Sequence, residues 1–314
     1  MLRITLERQQ VWIYVVTIIC GLMISRLWPD VDSFFERLLW PVLIVLLYTT
    51  FVQVPLLHLR DAFRDRGFIS AALLGNFILL PLLVWGLVQI LPNQPALRLG
   101  VLLVLLVPCT DWFITFTQMG RGSSAHALAL APVMLLLQIM LLPVYLWWMS
   151  DADLSLEGMP QSLLAALLII LVPLICAAMS ERWLEAQPQR LIWRERLGWC
   201  PVPLLALVIL LITASQAASV QQLLSQLPLL ILVFSLFLLA AGFMAKSLSW
   251  LFKLPVEQGR TLAFSFGTRN SFVVLPVALA LPAGWELVAM VVVLQSLVEL
   301  LGMVFYLWWV PRKF

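Results

Sequence analysis

The sequence predicts an all-α, multi-pass membrane protein: ten transmembrane helices forming two inverted five-helix repeats, with helices 4 and 9 discontinuous. Three observations carry this expectation. Of 314 residues, 63% are apolar and 11% charged, a balance foreign to soluble domains of this size. The apolar residues come in stretches of roughly 18–24, enough to cross about 30 Å of hydrocarbon at 1.5 Å per residue. Lipid offers backbone groups no water, so such stretches must be helical. Finally, Lys and Arg divide unequally between alternate loops, as the positive-inside rule requires.

The first span, 11–28, is too long for a signal-peptide core. It ends in Arg26-Leu-Trp-Pro-Asp30 with no small-residue cleavage site, so it is expected to be helix 1. Spans 38–58 and 68–91 follow, separated by the charged stretch Leu59–Gly67. The fourth, 97–119, contains Pro108, and the fifth, 126–148, ends in Tyr145-Leu-Trp-Trp148. An acidic loop, 149–161, carries Asp151, Asp153 and Glu157. Beyond it come 162–180, 198–216, 228–248, 260–282 and 285–309, the last carrying Tyr306-Leu-Trp-Trp309. The repeats are expected at 11–148 and 162–309, and no soluble domain fits between spans.

With both termini cytoplasmic, one side holds fifteen Lys and Arg, from Arg3 through the Arg60–Arg66 and Arg182–Arg196 clusters to Lys313. The other side holds only Arg26, Arg37 and Arg98. This asymmetry sets the orientation, and a bacterial-type cytoplasmic (inner) membrane is the expected location. Tryptophans at span ends, among them Trp28, Trp148, Trp199 and Trp285, suit interfacial belts. Gln138 and Gln295 lie 157 positions apart, each followed by a Tyr-Leu-Trp-Trp run. Five helices per half is an odd number, so the second half enters the membrane upside down.

Charges inside apolar spans are costly and therefore informative. Asp111 falls in helix 4, Arg269 in helix 9 and Glu299 in helix 10, with Asp111 and Arg269 158 positions apart. If the repeats cross there, the two can neutralise each other. Both sites also carry helix breakers: Val107-Pro-Cys-Thr-Asp111 and Phe266-Gly-Thr-Arg-Asn-Ser271. Broken helices at matching points of two halves point to a transporter binding site, and half-helix N-termini favour anionic or polar solutes. Asp111 could equally be a simple N-cap, Cys109 a small core residue, and Glu299 a hydrogen-bonding partner one turn from Gln295 rather than a proton carrier. His58 and His126, at helix ends, are expected to be interfacial. Cys20, Cys109, Cys176 and Cys200 show no metal-ligand or disulfide pattern, and neither a cofactor nor a nucleic-acid partner is expected.

At these residues the chain resembles the bile acid:sodium symporter superfamily, and within it the arsenite-efflux permease branch. Leu74-Gly-Asn76-Phe with Pro81 resembles the permeases' Asn-Trp followed by Pro, where the bile-acid branch has a sodium-binding Gln. Val107-Pro-Cys-Thr110 is similar to their Ala-Pro-Cys-Thr, whose cysteine is associated with arsenite handling, and Gly120-Arg-Gly122 to a turn both branches share. Gly267-Thr-Arg-Asn-Ser271 is similar to the bile-acid branch's Gly-x-Gln-Asn-Ser, with Arg269 in place of Gln. Ser265 replaces that branch's sodium-binding Glu, and Val273 the acidic residue of the permeases.

The resemblance implies a panel of helices 1, 2, 6 and 7 moving against a core of helices 3–5 and 8–10. It implies substrate contacts from Asn76, Cys109, Thr110, Asn270 and Ser271; Asp111, where both branches have small or neutral residues, and Arg269 are expected there from the broken-helix pattern. Ion or proton coupling would involve Asp111, Ser265, Gln295 and Glu299. A guanidinium where a cation would sit argues for proton-linked or uncoupled carriage over sodium. The expected solute is arsenite-like, in efflux, with a small organic anion as the alternative favoured by Arg269. An intramembrane enzyme is not expected: there is no H-E-x-x-H, no second intramembrane aspartate and no histidine at midplane depth. A channel is disfavoured by two deep opposite charges at one crossing.

Overall fold

The computed structural model describes residues 2–28, 32–56, 65–149 and 159–314; for residues 2–8, 32–33, 159–167, 188 and 217–222 only the backbone is described. His58 and the acidic residues of the 149–161 loop lie outside the described residues. Every regular element described is helical. In chain order they are α1 (Leu2–Leu27), α2 (Asp32–Phe51), α3 (Arg66–Leu74), a π-helical turn (Gly75–Leu79) and α4 (Leu80–Val88). Next come α5 (Pro95–Leu105), α6 (Trp112–Met119), α7 (Ser124–Met149), α8 (Met159–Glu185), α9 (Leu191–Leu197) and α10 (Pro201–Ser215). The last four are α11 (Ala217–Leu251), α12 (Val256–Gly267), α13 (Ser271–Leu279) and α14 (Leu287–Lys313).

Among the described residues, seven helical stretches are long and apolar enough to cross a membrane, α3 to α4 and α9 to α10 each counting as one. The paired shorter helices α5/α6 and α12/α13 are each interrupted at the residues singled out above. The outer surfaces of the long spans carry the hydrophobes that suit lipid: Trp12, Met23, Trp85, Met140, Trp147, Phe243, Leu301 and Trp308 are all exposed. The polar residues do the reverse. Asn76, Thr110, Ser265, Thr268, Arg269, Asn270, Gln295 and Glu299 are all buried.

The packing falls into two sets. α1 lies against α10, α10 against α2, and α2 against α8. Gly21 lets α1 approach closely, because a Cβ there would stand 2.0 Å from Thr213 Oγ1 of α10. In the second set α11 packs on α12 and α14, and α14 on α5. The sets meet where α13 touches α2 and α8, and where α1 touches α14.

Helix starts at one end of the second set are tied by polar side chains. Asp65 caps α3, its Oδ1 accepting the Phe68 N–H at 3.1 Å, and this bond chiefly holds the carboxyl below the usual aspartate range. Its Oδ2 accepts from Gln258 Nε2 at 2.7 Å and stands 3.5 Å from His126 Nε2. Ser123 Oγ is 2.7 Å from His126 Nδ1. His126 therefore joins the starts of α3, α7 and α12, an assignment sharper than the interfacial position expected for it.

Candidate functional site

The two interrupted helices meet at their breaks. Pro108 and Arg269 form an isolated antiparallel bridge. Cys109 N donates to Thr268 O at 3.2 Å, and Asn270 N donates to Val107 O at 2.8 Å. These bonds satisfy backbone groups that the broken helices would otherwise leave bare in an apolar interior. They are also symmetric. Pro108 and Arg269 lie 161 positions apart, and the same shift, applied both ways, turns the first bond into the second.

A second pair of contacts obeys that shift. Tyr145 Oη donates to Phe77 O at 2.6 Å, and Tyr306 Oη donates to Leu238 O. The first acceptor lies in the π-helical turn, where the widened hydrogen-bond register frees a carbonyl. Gly75, at the start of that turn, has no room for a Cβ, which would fall 1.8 Å from Phe266 Cζ.

The bridge pairs Arg269 with Pro108, and at the shift of 161 positions Glu299 falls on Gln138, three to four positions away from the spacings read in the sequence. The consequence is chemical. Glu299 Oε2 accepts the Arg269 backbone N–H at 2.8 Å. Proline has no N–H to offer at the matching point, and Gln138 is 2% exposed with neither Oε1 nor Nε2 hydrogen-bonded.

Around the crossing the predicted residues form one network. Arg269 Nη2 donates to Phe266 O at 2.6 Å and Asn76 Oδ1 at 3.3 Å, and its guanidinium carbon lies 5.0 Å from the Phe237 ring centre. Its Nε and Nη1 have no hydrogen-bond partner. Asn76 Nδ2 donates to Ser265 Oγ at 3.1 Å. Gln295 Nε2 donates to Glu299 Oε2 at 2.7 Å, Ser271 Oγ to Gln295 Oε1 at 3.4 Å, and Ser296 Oγ to Ser271 Oγ at 2.8 Å. Asn270 Nδ2 donates to Thr110 Oγ1 at 3.2 Å while its Oδ1 caps α13 through Val273 N. Ser296, Phe237 and the Phe266 carbonyl were not anticipated. Only Ser296, one helical position past Gln295, left a trace in the sequence.

The Asp111–Arg269 neutralisation takes another form. The guanidinium's hydrogen bonds go to Asn76 and Phe266, and the carboxylate reaching Arg269 is that of Glu299. Asp111 holds the N-cap position of α6 without a side-chain capping bond, and its Oδ1 accepts from Cys109 Sγ at 3.3 Å. Cys109 is 1% exposed, whereas Asp111 is half-buried. Of two cavities, one begins beside the break at Trp112 and the other lies at the far end of α13. One, of about 60 Å³, is lined by Gln10, Trp112, Thr115 and Leu300 among others. The other, of about 210 Å³, is lined by Glu36, Trp40, Gln216, Trp285 and Glu286 among others.

The family model described as Sodium Bile acid symporter family matches residues 40–224, more than half of the chain. The chain belongs to that family. Membership makes it a multi-pass membrane transporter of the sodium bile acid symporter type, acting on a small solute. The match takes in Asn76 and Cys109–Asp111, whereas Arg269, Asn270, Ser271, Gln295 and Glu299 lie beyond it. No curated protein matches the chain.

Proposed function

We propose that this sodium bile acid symporter family member is a secondary carrier that moves a small solute by alternating access, without sodium. The observation that carries the reading is the backbone bridge between two broken helices, with buried polar side chains gathered around it. Such a crossing presents helix ends and polar side chains where a solute can be held inside the membrane. The seven long spans, α8 and the two interrupted pairs add up to ten crossings, and the shared shift supports two inverted repeats. The set α1, α2, α8 and α10 then serves as the panel, and the elements around the crossing as the core, in an inner membrane with both termini cytoplasmic.

Sodium independence rests on Arg269. Its guanidinium already occupies neutral oxygens of the kind a cation seeks, Asn76 Oδ1 and the Phe266 carbonyl, so the positive charge is built in. Glu299 or Asp111 remains available to carry a proton, with Ser265 and Gln295 as hydrogen-bonding support. Between the two solute classes, the geometry favours bile-acid-symporter-like carriage over arsenite efflux. Arsenite ligation needs an accessible thiol, and Cys109 is buried with its thiol directed at Asp111.

Alternating access is tested without knowing the solute. Thr115→Cys in the smaller cavity and Ser215→Cys in the larger one are probed with a membrane-impermeant thiol reagent from each side of proteoliposomes. A carrier gives labelling of the two positions from opposite faces, with one rising as the other falls across conditions. Simultaneous labelling of both from one face would point to a channel. Potassium-for-sodium exchange should leave solute flux unchanged, and arsenite flux lost in Cys109→Ala would restore the arsenite reading.

A further inference from the structure

The break between α12 and α13 holds a buried cation and a buried anion whose side chains do not bond to each other. Arg269 is 2% exposed; its Nη2 turns to Asn76 and the Phe266 carbonyl, while Nε and Nη1 have no hydrogen-bond partner. Glu299 is 1% exposed, and its Oε2 accepts from the Arg269 backbone N–H and from the Gln295 amide. Its Oε1 has no hydrogen-bond partner. Both bonds to Oε2 are accepted ones, so the group is held here as a carboxylate, and Oε1 is the atom left for a proton.

The charged and titratable groups that act on Glu299 are Arg269, Asp111 and Cys109 from the two breaks, and Tyr306 further along α14. On the other helices packed against α14, Arg98 of α5 is turned to the Leu91 and Pro92 carbonyls, Arg260 of α12 to the Pro311 carbonyl, and Lys246 of α11 is exposed. Asp111 is half-buried beside Trp112, which lines the smaller cavity, so water can hold its charge. Glu299 has no such relief. At the symmetric position, 161 residues earlier, stands Gln138, buried and uncharged, so this place in the fold accepts a neutral side chain of the same size.

A site closed off inside a membrane must carry little net charge, because a buried charge without a counter-charge is costly. With Glu299 ionised, it and Arg269 sum to zero, and the empty carrier can change face. A monoanion arriving at that state would leave a net negative charge. With a proton on Oε1, Arg269 is instead left to balance the solute, and the sum is again zero.

From this we infer that Glu299 is the proton-binding residue of an electroneutral anion–proton symport, with Arg269 as the fixed positive charge it shares with the solute. One proton moves from water on the entry side to Oε1, crosses with one monoanion, and returns to water on the other side. The inference rests on the carrier reading above and on its preference for bile-acid-like solutes, and it chooses between the two carboxyls left open there.

The test gives the full-length protein in proteoliposomes labelled taurocholate and isethionate, sulfonates that stay ionised and so do not leak through lipid as neutral acids. In the wild type, an inward proton gradient should drive accumulation without sodium, and an imposed membrane potential should change nothing. Glu299→Gln fixes the neutral state: the loaded carrier still crosses, but the empty one strands Arg269. It should keep counterflow of preloaded against external sulfonate and lose net uptake by about tenfold or more at every pH. Wild-type uptake indifferent to the proton gradient, or gradient-driven accumulation by Glu299→Gln, would overturn the assignment. So would loss of counterflow in Glu299→Gln with an unchanged thermal midpoint. If neither sulfonate moves, the Thr115→Cys and Ser215→Cys reporters decide. Exchange of labelling between faces should slow on acidification, and be slow at every pH once Glu299→Gln is added. Exchange independent of pH in both backgrounds would overturn the proton assignment and leave the carrier intact. Labelling of both positions from one face would overturn the carrier itself.

Discussion

The two helix breaks solve one backbone problem with opposite chemistry. At both, a helix stops in the middle of an apolar body and its freed groups pair with the other break. The break between α12 and α13 is then sealed: Asn270 caps α13, Glu299 accepts the Arg269 N–H, and the guanidinium is turned inward. The break between α5 and α6 is left open. Pro108 has no N–H, Gln138 has no hydrogen-bond partner, and Asp111, half-buried, accepts from Cys109 Sγ but makes no capping bond. Symmetry of the backbone therefore does not imply symmetry of function. One break has its backbone N–H bonded to a carboxylate, and the other leaves the Gln138 amide without a partner.

The strongest way to break this comparison is to unseal the second break. Glu299→Ala leaves the buried Arg269 backbone N–H without its charged acceptor and should cost up to about 3 kcal/mol, read as a lowered thermal midpoint in detergent. Glu299→Gln keeps an acceptor for the Arg269 N–H and should cost less. Equal losses would mean that the charge, not the hydrogen bond, matters.

A smaller effect is expected at the π-helical turn that places Asn76. Gly75→Ala puts a methyl into the Phe266 ring and should cost about 1–3 kcal/mol by overpacking. Neutral behaviour would show that α3 and α12 can separate freely. Asn270→Ala removes the cap of α13 and should cost about 1 kcal/mol. Asp111→Asn, at the matching uncapped position, should change the midpoint less while reducing flux. If Asp111→Asn proved the more destabilising of the two, the open and sealed assignments would be reversed.

The smallest expected change has the opposite sign. Gln138→Leu removes two orphaned polar atoms at similar volume and should stabilise by up to about 1 kcal/mol. A loss of stability would mean that a polar partner normally occupies that place.

Much of this was legible in the chain. Hydrophobic stretches of membrane length, the inward-placed charges and the Pro108 and Gly267 breakers announced a membrane protein with two interrupted helices. The spacings read in the sequence, 157 and 158 positions, differ by three to four residues, about one helical turn, from the 161 that separates the bridged Pro108 and Arg269. A sequence comparison weighs residue types. The fold weighs backbone bonds, and proline accepts a bridge as well as arginine does.

By itself the sequence determined the solvent of the protein, the helical state of nearly every residue, and the places where helices cannot continue, since these follow from local hydropathy and backbone chemistry. Which charges meet was decided only in three dimensions. Arg269 lies 30 positions from Glu299 and 193 from Asn76, and nothing in local pattern says that it turns to them rather than to Asp111. A buried charge settles wherever packing delivers the most acceptors. That balance is a property of the assembled core, not of any segment of the chain.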